Sequence, residues 1–134
     1  MEKTVEKFKA LSDETRLRII NLFIKRDINL CVCELMDAIQ IPQYSISKAL
    51  NILKNADFFK TEKEGTWVYY QLNKDTPDNN SLFSFLKKYL NNSNFLDDET
   101  RLNDRLTLRK NNRCVVGIIP EGDLLKMIKQ KAEV

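Results

Sequence analysis

Three cysteines carry the reactive chemistry of this sequence: Cys31 and Cys33, separated only by Val32, and Cys114, alone near the far end of the chain. There is no histidine, so the commonest metal ligand, general base and pH switch is missing, and thiolates and carboxylates are left to bind or react. A close thiol pair suits soft ions, because the thiolate is the ligand such ions prefer. An odd cysteine count argues against a disulfide framework, and a reducing compartment keeps such thiols free for metal. Cysteine catalysis would need a neighbouring base or an arginine-closed phosphate loop. Neither Cys31 nor Cys114 is followed by one, and Gly65, Gly117 and Gly122 are too scattered to build a cradle. The expectation is a protein that is not an enzyme and uses no organic cofactor.

Residues two apart in an α-helix point about 200° away from each other. Cys31 and Cys33 therefore share one ion only if the backbone between them is extended or frayed. Their position ahead of a helical pattern favours the thiolate, since helix N-termini lower thiol pKa.

That pattern runs from about Cys33 to Gln40 with Leu35, Met36 and Ile39 inward, and Ile41-Pro42 breaks it because proline disfavours helix in the residue before it. A further helix is expected from about Gln43 to Asn55. Ile46, Leu50 and Leu53 share its inner face, and Tyr44, Ser47, Lys48 and Asn51 the opposite side. Two helices joined by a short turn, the second bearing a polar stripe, form a helix-turn-helix whose second helix enters the major groove. Residues 58 to 72 change to a period of two on either side of Glu64-Gly65, which predicts a β-hairpin. Its tip, with Lys60, Lys63 and Gly65, is expected to lie against phosphate. The predicted fold is mainly α with a small β-hairpin: a winged helix-turn-helix, dimeric, on operator double-stranded DNA.

The flanking stretches complete the frame. Val5, Phe8 and Leu11 give residues 2 to 10 one apolar helical face. Ser12 is the expected cap of a second helix, with Asp13 and Glu14 in its first turn and Lys25 and Arg26 at its end. Residues 73 to 80 read as a turn-rich linker, and Ser81 as the cap of a helix with an unusually broad apolar surface of Leu82, Phe83, Phe85, Leu86, Tyr89 and Leu90. With the first helix, that surface is either a homodimer interface or interior core. A helix from about Asp97 to Lys110, an extended segment at 114 to 119, a turn at Pro120-Glu121-Gly122 and a last helix capped by Asp123 complete the expectations. The division expected is a DNA-binding and dimerisation domain at 1–92 and a Cys-bearing extension at 93–134.

A length of 134 residues fits one ordinary core. The net charge of +3 is too small to demand or exclude nucleic acid. No apolar run approaches the roughly 18 residues of a membrane helix, and the N-terminus has no secretory pattern, so a cytoplasmic location without membrane contact is expected.

Residues 8 to 20, Leu30-Cys31-Val32-Cys33-Glu34-Leu35, Gln43 to Leu53 and Lys63 to Leu72 together resemble the ArsR/SmtB family of winged-helix metalloregulatory repressors, over about residues 5 to 90. The resemblance implies a homodimer that holds operator DNA when metal-free and lets go when a thiophilic ion binds. By it, Gln43, Ser45, Ser47 and Lys48 match the recognition-helix pattern, and Ala49 stands where many relatives have histidine. Cys31-Val32-Cys33-Glu34-Leu35 looks like the arsenic-sensing and cadmium/lead-sensing branches. Some arsenic sensors carry a third cysteine where this chain has Met36, so a three-sulfur site would have to recruit Cys114, from the same or the partner chain. Otherwise Cys114 is a buried cysteine of an apolar segment. The family's histidine and carboxylate site on the dimer helix cannot be built here, because histidine is absent.

The inducer implied is arsenite or antimonite, with cadmium, lead or zinc as the alternative, and a thiol-based redox repressor as the nearest rival on the same fold. Chelation would hold residues 31 to 33 out of the helix and displace the start of the helix that supports the reader, with a coupling typically of about 1 to 3 kcal/mol.

Overall fold

The structure is a computed structural model and describes residues 1–118 and 121–132. Helix α1 (Glu2–Leu11) ends at Ser12, whose hydroxyl donates back to the Phe8 carbonyl at 2.7 Å. The cap of α2 (Glu14–Arg26) is therefore Asp13, not Ser12: its carboxylate accepts the Arg16 amide at 3.0 Å, one of the donors a helix start leaves open. Strand β1 (Leu30–Cys31) leads directly into α3 (Val32–Ile39). Gln40, in the left-handed conformation, closes α3, and Ile41-Pro42 turns the chain into α4 (Gln43–Asn55). Strands β2 (Phe59–Glu64) and β3 (Trp67–Leu72) form the hairpin, and Gly65 at φ 58° supplies the positive dihedral that its tight turn needs.

The sheet order is β1-β3-β2, antiparallel throughout, with Cys31 paired to Tyr69 and Leu30 to Tyr70. This mainly helical fold with its hairpin is a winged helix-turn-helix. The third strand is an addition that no two-residue stretch announces by periodicity, and it joins the root of α3 to the wing. The inner face of α4 is as expected: Ile46, Leu50 and Leu53 are fully buried.

Later boundaries shift. Helix α5 (Pro77–Tyr89) begins four residues ahead of Ser81, because Thr76 accepts the Asn79 amide at 3.2 Å and Pro77 is preset for the first turn. Its apolar surface is split. Phe83 and Leu86 face the core and so does Leu90 just beyond, while Phe85 and Tyr89 stand outside, stacked at 5.4 Å. Helix α6 (Ser93–Leu106) is capped by the Asn92 side chain rather than starting at Asp97, and it stops before Arg109 and Lys110. Phe95 and Leu102 of α6 belong to the same hydrophobic core as α2 to α4.

Asn111 and Asn112, both left-handed at φ 54° and 60°, then reverse the chain in a tight turn closed by two 3.0 Å hydrogen bonds between Lys110 and Arg113. Residues 114–117 pair into no strand and enter no helix; Ile119 of the expected extended segment and the Pro120 of the expected turn lie outside the described residues. Helix α7 (Glu121–Ala132) contains Asp123 instead of being capped by it. Among the described residues no helix is long and apolar enough to cross a membrane.

Candidate metal centre and nucleic-acid interface

Cys31 is the last residue before α3, with extended backbone at φ −104° and ψ 167°, and Cys33 lies in the first turn of the helix. That one non-helical residue resolves the 200° problem. The two sulfurs stand 3.1 Å apart without any fraying, and α3 begins at Val32 rather than at Cys33. The Asn111-Asn112 turn brings Cys114 back in the same chain, 3.4 Å from the Cys33 sulfur, and all three sulfurs lie within 4.8 Å of one another. All three are buried. With Tyr69 and the flank of Trp67 they form a small cluster separate from the main core. Met36, by contrast, packs on the main core.

The surroundings hold this geometry in place. The Tyr69 hydroxyl accepts the Cys114 amide at 2.9 Å. Arg105, fully buried, places its guanidinium 3.8 Å from the Cys114 sulfur and donates to the Val116 carbonyl at 2.7 Å and the Asp37 carboxylate at 2.6 Å. Glu34, also fully buried, accepts the Cys31 amide at 3.1 Å and receives Arg109 through two bonds of 2.6 and 2.7 Å, so one carboxylate both caps α3 and anchors the returning chain. Hydrogen bonds from Cys31 and Cys33, with Arg105 nearby, hold the Cys114 sulfur as thiolate, well below the usual thiol range. The same bonding to Cys114, then burial, pushes Cys33 up to about 12, and Cys31 is raised further still. The directions favour Cys114 over Cys31 and Cys33 as the sulfur that gives up its proton first.

On α4, Gln43, Tyr44, Lys48 and Asn51 are exposed, Tyr44 to 75%, while Ser45 and Ser47 are half-buried. Lys63 is exposed beside the wing turn. Among the described residues, the side chains of Gln43, Tyr44, Lys48, Asn51 and Lys63 make no hydrogen bond or ion pair. Their polar groups are open to an outside partner. Lys60 is not at the tip: it sits near the base of β2, opposite Gln71, and pairs with Asp75. Ala49 is buried, so this position faces the core.

Sequence reasoning missed the roles of Tyr69, Glu34, Arg105 and Arg109. A signal existed for two of them, since Arg101, Arg105 and Arg109 recur every four residues. In the structure they meet the Ala38 carbonyl, Asp37 and Glu34 in turn along α3.

Fold and thiol cluster together define a winged helix-turn-helix transcriptional regulator. Residues 13–60 match the family described as bacterial regulatory protein, arsR family, a stretch that includes Cys31, Cys33 and α4 but not Cys114. An uncharacterized HTH-type transcriptional regulator of Methanocaldococcus jannaschii is 46% identical over 74 residues, covering 55% of this chain and 82% of that protein. The arsenical resistance operon repressor of Bacillus subtilis is 39% identical over 75 residues, 56% of this chain and 70% of the repressor. A cadmium resistance transcriptional regulatory protein of Staphylococcus aureus is 40% identical over 68 residues, 51% and 55% of the two chains. Among solved structures, reduced HlyU of Vibrio cholerae superposes with a TM-score of 0.59 at 26% identity, over 68% of this chain and 92% of that one. The chain belongs to the arsR family of bacterial regulatory proteins.

Proposed function

We propose that this regulator is a repressor that holds operator double-stranded DNA as a homodimer and releases it when a thiophilic ion binds Cys31, Cys33 and Cys114. The observation that carries this reading is the convergence of Cys114 on Cys33, 81 residues away in sequence, and on its neighbour Cys31. The free polar side chains of Gln43, Tyr44, Lys48 and Asn51 supply groove contacts, with Ser45 and Ser47 beneath them and Lys63 on phosphate.

Arsenite or antimonite is the inducer favoured by geometry. Two sulfurs each about 2.3 Å from one ion stand about 3.8 Å apart at a tetrahedral angle and about 3.3 Å apart at a right angle. Two of the three separations, 3.1 and 3.4 Å, lie near the right-angle value, the geometry of a three-coordinate centre carrying a lone pair, and all three sulfurs lie within 4.8 Å of one another. Among the described residues three sulfurs gather with no fourth His, Cys, Asp or Glu, which points the same way, against tetrahedral cadmium or zinc. Relatives named for arsenical and for cadmium resistance support the class of ion as a whole.

Cys31 belongs to β1, which pairs with the wing strand, and Cys33 to α3, which supports the reader. An ion that redraws these sulfurs changes both supports at once, and operator affinity falls by the coupling free energy. The test is titration of operator-bound protein with arsenite, antimonite, cadmium, lead and zinc. Release should occur at the lowest concentration with arsenite or antimonite and be lost in Cys31→Ser and Cys33→Ser. Undiminished release from either variant would refute the reading. The sulfur contacts also permit oxidation to a disulfide, a redox trigger that would show as metal-free release reversed by reductant.

A further inference from the structure

The two supports of the reader are held in different ways. Helix α3 is tied along its length to α6 and α2. Glu34 and Asp37 pair with Arg109 and Arg105, Arg101 donates to the Ala38 carbonyl at 2.6 Å, and Arg18 donates to the Ile39 carbonyl at 3.2 Å. Asp98, fully buried, holds Arg18 and Arg101 at 2.7 Å each. Charges out of water keep their geometry, because moving one away strands its partner. At the far end of the wing, by contrast, Arg113 meets Glu64 at 3.0 Å in a partly exposed pair of the kind that water weakens.

Between α6 and the wing runs a strap, residues 113–118. On the helix side Arg105 donates to the Val116 carbonyl at 2.7 Å. On the wing side the Cys114 amide donates to the Tyr69 hydroxyl at 2.9 Å, and the Arg113 guanidinium lies 5.3 Å from the centre of the Tyr69 ring. Gly117 passes so near Trp67 that a Cβ there would stand 3.6 Å from the ring. Tyr69 meets the thiol cluster from two directions, since its backbone is also the β-partner of Cys31. Across the hairpin Tyr69 pairs with Glu62, and Val68 with Lys63. Lys63 therefore stands between a residue opposite Tyr69 and the residue that Arg113 holds.

We propose that Tyr69 and Arg113 are positioning residues that carry the state of the thiol cluster into the wing, so that the wing, rather than α3, yields on ion binding and Lys63 leaves its phosphate. A change in where Cys114 sits moves its own amide and the adjoining Arg113, which hold the wing strand and the wing tip. Hydrogen bonds across the hairpin make β2 and β3 shift together. Helix α3 cannot follow without parting its buried ion pairs.

This inference rests on the reading that a thiophilic ion at the three sulfurs releases operator DNA, and the test separates the two. The coupling factor is the ratio of arsenite affinities of free and operator-bound protein. By reciprocity it equals the loss of operator affinity on ion binding, typically about 5- to 150-fold. It is measured on the full chain for the parent and for Tyr69→Phe, Arg113→Gln and Glu64→Gln. Tyr69→Phe removes only the acceptor of the Cys114 amide; the other two open a surface pair and serve if the tyrosine variant misfolds. Each should lower the coupling factor by about three-fold or more while arsenite affinity of the free protein stays within about three-fold. A residue that only supports the fold would change the affinities and leave their ratio alone. Salt dependence gives a second readout. Arsenite should reduce the slope of log operator affinity against log salt by about two in the parent homodimer, one phosphate for each Lys63, and by less than about one in the variants. Parental coupling in all three variants, or a parent slope that arsenite does not change, overturns this inference and returns the output to α3. A parent that keeps its operator in arsenite overturns the sensor reading itself, and this inference falls with it.

Discussion

At the residue scale, the decisive quantity is the proton inventory of the three sulfurs. The shifts, Cys114 down and Cys31 and Cys33 up, predict a resting cluster of one thiolate and two thiols. A divalent ion forming a three-thiolate centre must expel both protons, so its affinity should rise with pH by roughly two decades per unit around neutrality. Neutral arsenous acid behaves oppositely. Its three hydroxides leave as three waters and need three protons, of which Cys31 and Cys33 supply two and solvent the third, so arsenite affinity should fall by roughly one decade per pH unit over the same range. Competitive titrations of cadmium and arsenite between about pH 6 and 8 read both slopes. Matching signs for the two ions would show that the resting cluster does not hold one thiolate and two thiols.

The element scale is dominated by the grip of the chain after α6 on α3. Arg105 and Arg109 pair with Asp37 and Glu34 where the partners are largely or wholly buried. Removing one side of such a pair leaves a buried charge and typically costs about 3 to 5 kcal/mol. Arg109→Leu is therefore expected to lower stability by that order in denaturant unfolding and to loosen the capped start of α3; a loss below about 1 kcal/mol would show that water replaces the pair.

The turn that returns Cys114 needs two left-handed residues in a row, which asparagine tolerates and β-branched residues resist. Asn112→Val should consequently weaken ion binding about as much as Cys114→Ser while all three thiols remain. Arsenite affinity equal to the parent's, with the fold intact by circular dichroism, would separate the turn from the site.

This turn also marks where the sequence was readable. Periodicity exposed α4 and the hairpin because each buries one face, and the Cys-x-Cys spacing exposed the ion pair of ligands because geometry forbids it inside a helix. The two-residue β1 carries too few residues for a period. The ends of α5 and α6 followed caps at Thr76 and Asn92 that competed with equally good signals at Ser81 and Asp97. The place of Cys114 depended on Asn111-Asn112, two left-handed residues just past the expected helix end at Lys110 that no hairpin dipeptide announces.

At the scale of the whole molecule, the three sulfurs meet within one chain, whereas apolar side chains of α1 and α5 stand exposed. Val5 and Phe8 of α1 and Phe85 and Tyr89 of α5 are exposed, and Phe8, Leu82 and Phe85 line one open groove between the two helices. In the proposed homodimer this patch is the surface a second copy would cover, and paired readers on a two-fold operator gain avidity of about 10² to 10⁴ over one. Phe8→Glu combined with Phe85→Glu is expected to give a monomer in sedimentation velocity and to lose operator affinity by about that factor, while phosphate contacts still make the residual binding fall with salt. Arsenite binding should survive in the monomer within a few-fold, because Cys31, Cys33 and Cys114 meet without help from a partner. A variant that stays dimeric would move the interface elsewhere. A monomer that no longer binds arsenite would mean that the partner contributes to the sensor, and that three sulfurs of one chain are not enough.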